Sequence, residues 1–235
     1  MRPVRQIFPA LATAALLATP VRAQDVVGRL PQNAVIQDLR GGQRLGVFAG
    51  WLVTGRDPVG VRAHSGPVTG LRYDVFAVNP IYFSLRTMLL KADHDVYLPN
   101  APSDNNRAGT ASANQFTVDA SMEVALTGDR TWHGVQPLAS VGMGVIAGVA
   151  NEFDAGGYQP GVSPLFSFGL SVRKPVGRNG ELRADFGWLV HQVRYPRAFG
   201  KTTAGDDVPL RAEGSMTPMT TNRMISLGWT WGVFR

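Results

Sequence analysis

The stretch Asn222–Phe234 reads Asn-Arg-Met-Ile-Ser-Leu-Gly-Trp-Thr-Trp-Gly-Val-Phe, and this pattern decides the fold. Large apolar side chains occupy every second position, namely Ile225, Leu227, Trp229, Trp231 and Val233. The positions between them are small or weakly polar, namely Ser226, Gly228, Thr230 and Gly232. A period of two places the two sets on opposite faces of a β-strand. The apolar face must therefore cover a core or face lipid.

Seven further segments alternate in the same way. They are residues 45–54, 71–78, 81–90, 115–127, 135–149, 164–173 and 181–195. The connections at 79–80, 128–134 and 175–180 are short, whereas those at 56–70, 91–114, 150–163 and 196–221 are long. Short turns on one side and long loops on the other are typical of outer-membrane barrels. The pattern predicts an all-β protein, an eight-stranded antiparallel up-and-down transmembrane β-barrel.

Composition excludes several other classes of protein. The 235 residues include 27 glycines and no cysteine, so no disulfide framework exists and a helix bundle is disfavoured. After residue 23 no apolar run reaches the roughly 18 residues that a membrane-spanning helix needs. The net charge of +6 comes without a basic run that contains aromatic residues, so we expect no nucleic-acid partner. No cofactor is expected either.

The first residues resemble an export signal. Arg2 and Arg5 precede an apolar run from Ile7 to Ala18, and Val21-Arg22-Ala23 offers small residues for cleavage. We expect a signal peptide at 1–23, an N-terminal extension at 24–44 and a barrel domain at 45–235. Export followed by barrel insertion predicts a location in the cell outer membrane of a Gram-negative cell envelope.

The strand faces opposite the apolar sets carry charge. These predicted lumen residues are Arg72, Asp74, Arg86, Asp119, Glu123, Arg173, Glu181, Arg183 and Asp185. Alternation alone leaves open which face points inward. The export signal, the bulky apolar residues in every strand and the glycine and serine residues opposite them favour an inverted barrel, since a narrow interior suits small residues. Groups of opposite charge in such a lumen are expected to form ion pairs that fill it.

Aromatic residues on the apolar faces are the predicted lipid-facing or interfacial set. They are Trp51, Tyr73, Phe83, Phe116, Phe166, Phe168, Phe186, Trp188, Trp229 and Trp231. We also expect Tyr82 and Tyr195 at the membrane interfaces. Phe234 falls on the small-residue face of the last strand and is followed by Arg235.

Over residues 45–234 the chain resembles the eight-stranded outer-membrane barrels of the OmpA/OmpX type. The resemblance rests on the strand and loop pattern, the leader and the aromatic last strand with Trp229, Trp231 and Phe234. We expect the barrel alone, without the periplasmic domain that OmpA itself carries. The implied partners are outer-membrane lipid, lipopolysaccharide and the barrel-insertion machinery.

Three hypotheses about function follow. The first is a non-enzymatic outer-membrane barrel with a structural or surface-interaction role, whose long loops at 91–114 and 196–221 meet a surface partner that the sequence does not identify. The second is a secreted soluble lipocalin-like barrel that binds a small apolar ligand with its aromatic faces turned inward. The third, a lipid A-modifying enzyme, is disfavoured.

Histidine chemistry offers little support for the enzyme. Of the four histidines, only His191 lies near a strand end, and no serine follows it at near spacing. Asp93-His94-Asp95 carries metal-ligand types, but three adjacent residues rarely converge on one ion, so a solvated loop is favoured and no metal site is expected.

Overall fold

The protein is described by a computed structural model that covers residues 36–38, 42–55, 57, 60–98, 107–149, 158, 161–177, 179–196, 199 and 216–234. The expected signal peptide at 1–23 lies outside the described residues. So does most of the expected extension at 24–44.

Twelve strands form the described structure. Eight of them are barrel strands: β2 (Gln43–Val53), β3 (Gly66–Val78), β4 (Ile81–Leu90), β7 (Gln115–Ala125), β9 (Gln136–Gly148), β10 (Val162–Val176), β11 (Gly180–Gln192) and β12 (Met219–Phe234). Four short strands lie outside the barrel: β1 (Ile36–Asp38), β5 (Asp93–Tyr97), β6 (Arg107–Ser112) and β8 (Arg130–Trp132). No helix within the described ranges is long and apolar enough to cross a bilayer.

The eight barrel strands close on themselves in the order β2-β3-β4-β7-β9-β10-β11-β12, with every neighbouring pair antiparallel. The closing pair joins β12 to β2, where Ile225 lies opposite Trp51. Closure leaves no unpaired edge among these strands. The predicted fold class, an eight-stranded antiparallel barrel, is confirmed.

Side chains alternate between the interior and the outer wall along each barrel strand. On β7, for example, Gln115, Thr117 and Asp119 are buried, while Phe116 and Ala120 are exposed. Glycine is needed on the lumen face where two paired strands approach each other most closely. A Cβ atom built on Gly144 would lie 2.0 Å from the Val118 carbonyl oxygen of the neighbouring strand.

The two ends of the barrel differ in their connections. Asn79-Pro80 joins β3 to β4, and Gly177 in the turn between β10 and β11 adopts a positive φ of 66°. The connection from β7 to β9 contains β8, which pairs with β1. We call this end the short-turn end and the opposite one the long-loop end.

Several strand boundaries differ from the expected ones. β2 begins at Gln43 rather than Leu45, so Gln43 and Arg44 belong to the barrel wall. β3 begins at Gly66, inside the stretch expected as a Gly/Pro-rich loop, because its pairing with β2 extends to Gly66 and its pairing with β4 extends to Val68. The expected loop at 91–114 contains the β5–β6 hairpin. At the last strand, a register shift between Gly232 and Phe234 interrupts the alternation.

Candidate functional site: a filled lumen inside an apolar wall

All nine predicted lumen residues are buried inside the barrel. The structure adds Arg44, which is also buried. The prediction excludes Arg44 because it begins the first barrel strand at Leu45. Among the described strand residues, the lumen then holds five arginines and five carboxylates: Arg44, Arg72, Arg86, Arg173 and Arg183 with Asp74, Asp119, Glu123, Glu181 and Asp185. The formal charges balance, as buried charges require.

Arg183 lies at the centre of this network. Its Nη1 and Nη2 atoms donate to the two oxygens of Glu123 at 2.8 and 2.6 Å, and its Nε donates to Asp185 at 2.8 Å. Its Nη1 is 3.6 Å from Asp74 Oδ2. Arg72 donates to Asp185 Oδ1 at 3.1 Å from the opposite side of the lumen. The bidentate pair with Glu123 is the geometry in which an arginine binds a carboxylate most strongly.

A second ion pair lies across the β4–β7 interface. Arg86 donates to Asp119 Oδ2 through Nη2 at 2.7 Å and through Nε at 3.2 Å. Ser167 donates to the same oxygen at 3.0 Å. Arg86 and Asp119 occupy directly opposed register positions, so strand pairing alone brings them together.

A third group of charges lies nearest the short-turn end. Arg44 Nε is 2.9 Å from Glu181 Oε1, and Arg173 donates from Nε to Gln136 Oε1 at 3.0 Å. Tyr82 lies beneath Arg173, whose guanidinium carbon is 4.2 Å from the ring centroid. The expectation that Tyr82 lies at a membrane interface is therefore wrong. Its place on the polar face of β4 directs it into the lumen, where it packs against two arginines.

The long-loop end of the lumen is apolar instead. A cluster of buried residues fills it, and we call this cluster the apolar plug: Phe48, Leu52, Ala63, Val68, Met88, Leu90, Ala113, Leu165, Leu189 and Met224. Arg72 marks the boundary, since its guanidinium carbon lies 5.7 Å from the Phe48 ring centroid. The sequence pattern does not predict that the apolar lumen residues cluster at one end of the barrel.

A second apolar cluster lies in the loops and strand ends at the same end of the barrel. Val61, Tyr158, Val193, Tyr195 and Phe199 form a second buried cluster, so the expected interfacial position of Tyr195 is also wrong. Beside them the buried Arg62 donates to Asn222 Oδ1 at 3.0 Å. Burial lowers the pKa of the Arg62 guanidinium, and the nearby Asp57 carboxylate opposes that shift.

His191 is buried at the same end and lines a cavity of about 50 Å³ together with Gln115, Tyr158 and Ser163. Ser163 comes from β10, which pairs with β11 so that Leu165 lies opposite His191. The sequence spacing did not reveal this proximity because the two residues lie on different strands.

The outer wall carries the ten predicted aromatic residues. Trp51, Phe83, Phe116, Phe166, Phe168, Phe186 and Trp231 are exposed, and Tyr73, Trp188 and Trp229 are half-buried. Trp188 stacks on Phe168, with ring centroids 5.2 Å apart and planes at 14°. An apolar surface this extensive exceeds what soluble monomeric proteins expose and marks a surface that meets lipid or another protein.

His94 of the Asp93-His94-Asp95 stretch lies on β5, where it is buried and makes an edge contact with Tyr158 at 5.7 Å between centroids. Asp95 instead pairs with Arg107 at 2.7 Å. The predicted solvated loop is thus wrong for His94, which packs in the hairpin. Within the part of the chain that the structure describes, no three acidic, histidine or cysteine side chains are grouped to hold a metal ion.

Comparisons with known proteins agree on the architecture. Neisserial surface protein A has a similar structure, with a TM-score of 0.52 and 12% sequence identity, covering 82% of this chain and 97% of that one. The outer membrane protein OprG from Pseudomonas aeruginosa gives a TM-score of 0.52 at 10% identity, covering 83% and 99%. No family model and no curated protein matches the sequence. At such low identity the likeness shows the fold alone, and the predicted resemblance to eight-stranded outer-membrane barrels is confirmed at that level.

Proposed function

We propose that the chain is a non-enzymatic barrel protein of the outer membrane, with a closed lumen and a structural or surface-interaction role carried by the long-loop end. The observation that supports it is the inversion of polarity across the wall. Charged groups such as Arg183 and Asp119 are buried inside, while large apolar side chains such as Trp51, Phe83 and Ile225 cover the outside. Only an apolar solvent makes that arrangement favourable.

The lumen supports a structural role rather than conduction. The charged network and the apolar plug follow one another along the barrel axis, and both are built from buried side chains. Eight-stranded barrels are just wide enough for side chains to fill. We therefore expect no water-filled path from one end to the other.

The orientation of the strand faces disfavours the lipocalin-like hypothesis. It requires the aromatic strand faces to point inward, but Phe83, Phe166 and Phe186 are exposed on the outer wall. Ion pairs and the apolar plug fill the described part of the lumen, where a small apolar ligand would have to bind.

Reconstitution in vesicles and planar bilayers tests the proposal. The purified chain should insert into phosphatidylcholine vesicles and float with them after a carbonate wash. In a planar bilayer it should give no steps above the conductance of the bare membrane. Failure to float would overturn the membrane assignment. Floating protein that conducts ions would leave the membrane assignment standing and overturn the closed lumen.

A further inference from the structure

The outer wall carries an apolar groove of about 480 Å³ on strands β3, β4, β7, β9 and β10. This volume lies in the range of about 300–1,000 Å³ that is usual for small-molecule sites. One side of the groove follows a single row of directly paired positions, one on each strand: Tyr73, Leu85, Ala120, Met143 and Phe166. The groove therefore runs across the strands rather than along them.

A second row forms the other side. It consists of Val75, Phe83, Met122 and Val141, which are also paired across neighbouring strands. Between the two rows lie Ser84, Ser121 and Gly142, whose positions belong to the lumen face, so their backbone forms the floor.

Ala120 makes the surface concave. It is the smallest of the outward residues in both rows, and it lies between Leu85 and Met143, which are both exposed. Five strands spaced about 4.8 Å apart span about 19 Å, which makes the groove long and narrow. A thread-like apolar molecule fits that shape, whereas a second convex barrel wall does not.

The two ends of the groove differ in polarity. At β3 the Tyr73 hydroxyl donates to Gln43 Oε1, and Gln43 is the first residue of β2 at the short-turn rim. At β10 the outward neighbours of Phe166 are Pro164 and Phe168, so that end is apolar. An occupant with one polar end at the rim and an apolar chain across the wall matches both ends.

We propose that this groove holds one acyl chain of a phospholipid whose headgroup lies at the short-turn end. The inference rests on the proposed membrane location and adds a defined lipid site to it. The Tyr73 and Gln43 pair lies where the polar part of the lipid begins, and Met122 and Met143 flank the chain. Flexible, polarisable methionine side chains suit irregular apolar contacts of this kind.

Native mass spectrometry of the folded full-length chain tests the site. The protein is kept in detergent micelles that contain phosphatidylethanolamine. The wild type should retain one phosphatidylethanolamine per barrel, and Ala120→Phe, which fills the groove, should lower the lipid-bound fraction at least tenfold. Ala184→Phe is the matched control, because Ala184 is exposed on the outer wall of β11 opposite Val172 and Leu227. It should retain the lipid.

Equal lipid retention in Ala120→Phe and the wild type would overturn the inference, as would equal loss in both variants. A dimer peak that disappears only in Ala120→Phe would also overturn it, because a second copy would then occupy the groove. A wild type that folds in these micelles but fails to insert into vesicles would overturn the proposed function instead.

If Ala120→Phe does not fold, the wild type alone still tests the lipid site. With ¹³C-labelled methionine methyl groups, Met122 and Met143 should show cross-peaks to acyl-chain methylenes that survive detergent washing. Met219, exposed on β12, should lose such cross-peaks on washing. Equal behaviour of the three methyl groups would contradict a bound lipid.

Discussion

The two halves of the lumen are both filled by side chains, but one half is charged and the other is apolar. Towards the short-turn end, ion pairs centred on Arg183 fill the space, and towards the long-loop end the apolar plug fills it. Both halves are lined by alternate residues of the same strands. On β10, for instance, the inward series runs from Leu165 through Ser167 and Ser171 to Arg173. A closed barrel therefore fixes which residues point inward but leaves the polarity of each layer free.

The difference has energetic consequences. Buried ion pairs add little net stability compared with apolar packing, but removal of one partner leaves the other charged and unsolvated. Apolar packing is lost roughly in proportion to the volume removed. The charged half should therefore respond to substitution in an all-or-none way, and the plug should respond in a graded way.

The largest effect is expected at the centre of the charged half. Arg183→Met would leave Glu123, Asp185 and Asp74 without their shared partner. We expect a loss of about 3–5 kcal/mol in the free energy of unfolding. Urea unfolding from phospholipid vesicles measures it.

Arg223→Met provides the control for that substitution, since Arg223 is exposed on the outer wall of β12. Its effect should stay below about 1 kcal/mol. Similar losses in the two variants would mean that the lumen network contributes nothing special.

The plug should respond to cavity formation. Leu165→Ala removes volume from a side chain that is 1% exposed, and we expect a loss of about 2–5 kcal/mol in unfolding free energy. Leu170→Ala on the outer wall of the same strand should cost less, because lipid fills the space. The same urea titration compares them. An equal cost at both positions would show that the plug is loosely packed.

A smaller effect is expected at Gly144, where β9 lies very close to β7 on the lumen face. Gly144→Ala places a methyl group against the Val118 carbonyl and the Asp119 Cα, so strand spacing must change at a cost of about 1–3 kcal/mol. Gly161→Ala is the matched control, since a Cβ there meets nothing within 4 Å. Thermal loss of the folded gel band ranks the variants. If Gly144→Ala matches Gly161→Ala, the lumen has more room than the structure shows.

Substitutions in the small cavity at the long-loop end are expected to leave the lipids of the cell unchanged. His191→Ala and Ser163→Ala alter two residues that line one cavity, and under the non-enzymatic proposal neither should change the lipid species of the cell envelope. Mass spectrometry of extracted lipids from cells expressing each variant checks this. Disappearance of a lipid product in both variants would support a lipid-modifying enzyme.

Much of this arrangement could be predicted from single residues and their parity. Alternation placed Arg72, Arg86, Asp119 and Glu123 on the face opposite the aromatic residues, and closure of the barrel put that face inside. The expected partners of each charge could not be predicted, because Arg183 meets Glu123 across the lumen from a strand that is distant in sequence. The sequence pattern misses Arg44 because it predicts a strand that begins at Leu45, two residues after the observed start at Gln43.

Other features depend on tertiary context alone. Residue type alone predicts an interfacial position for Tyr82, although its parity with Ser84 and Arg86 indicates the lumen. The β5–β6 hairpin has a polar sequence, and its pairing is visible only in the register of Asp93 with Ser112. The outer groove arises because five positions from separate strands fall in one row, which no local pattern in the sequence reports.

The inverted wall is the central claim, and cell fractionation with gel migration before and after boiling tests it most directly. If the wall is inverted, the protein should sediment with the outer membrane and migrate differently when the sample is not boiled, because a closed barrel resists detergent in the cold. A soluble periplasmic protein whose migration does not change on boiling would contradict the account.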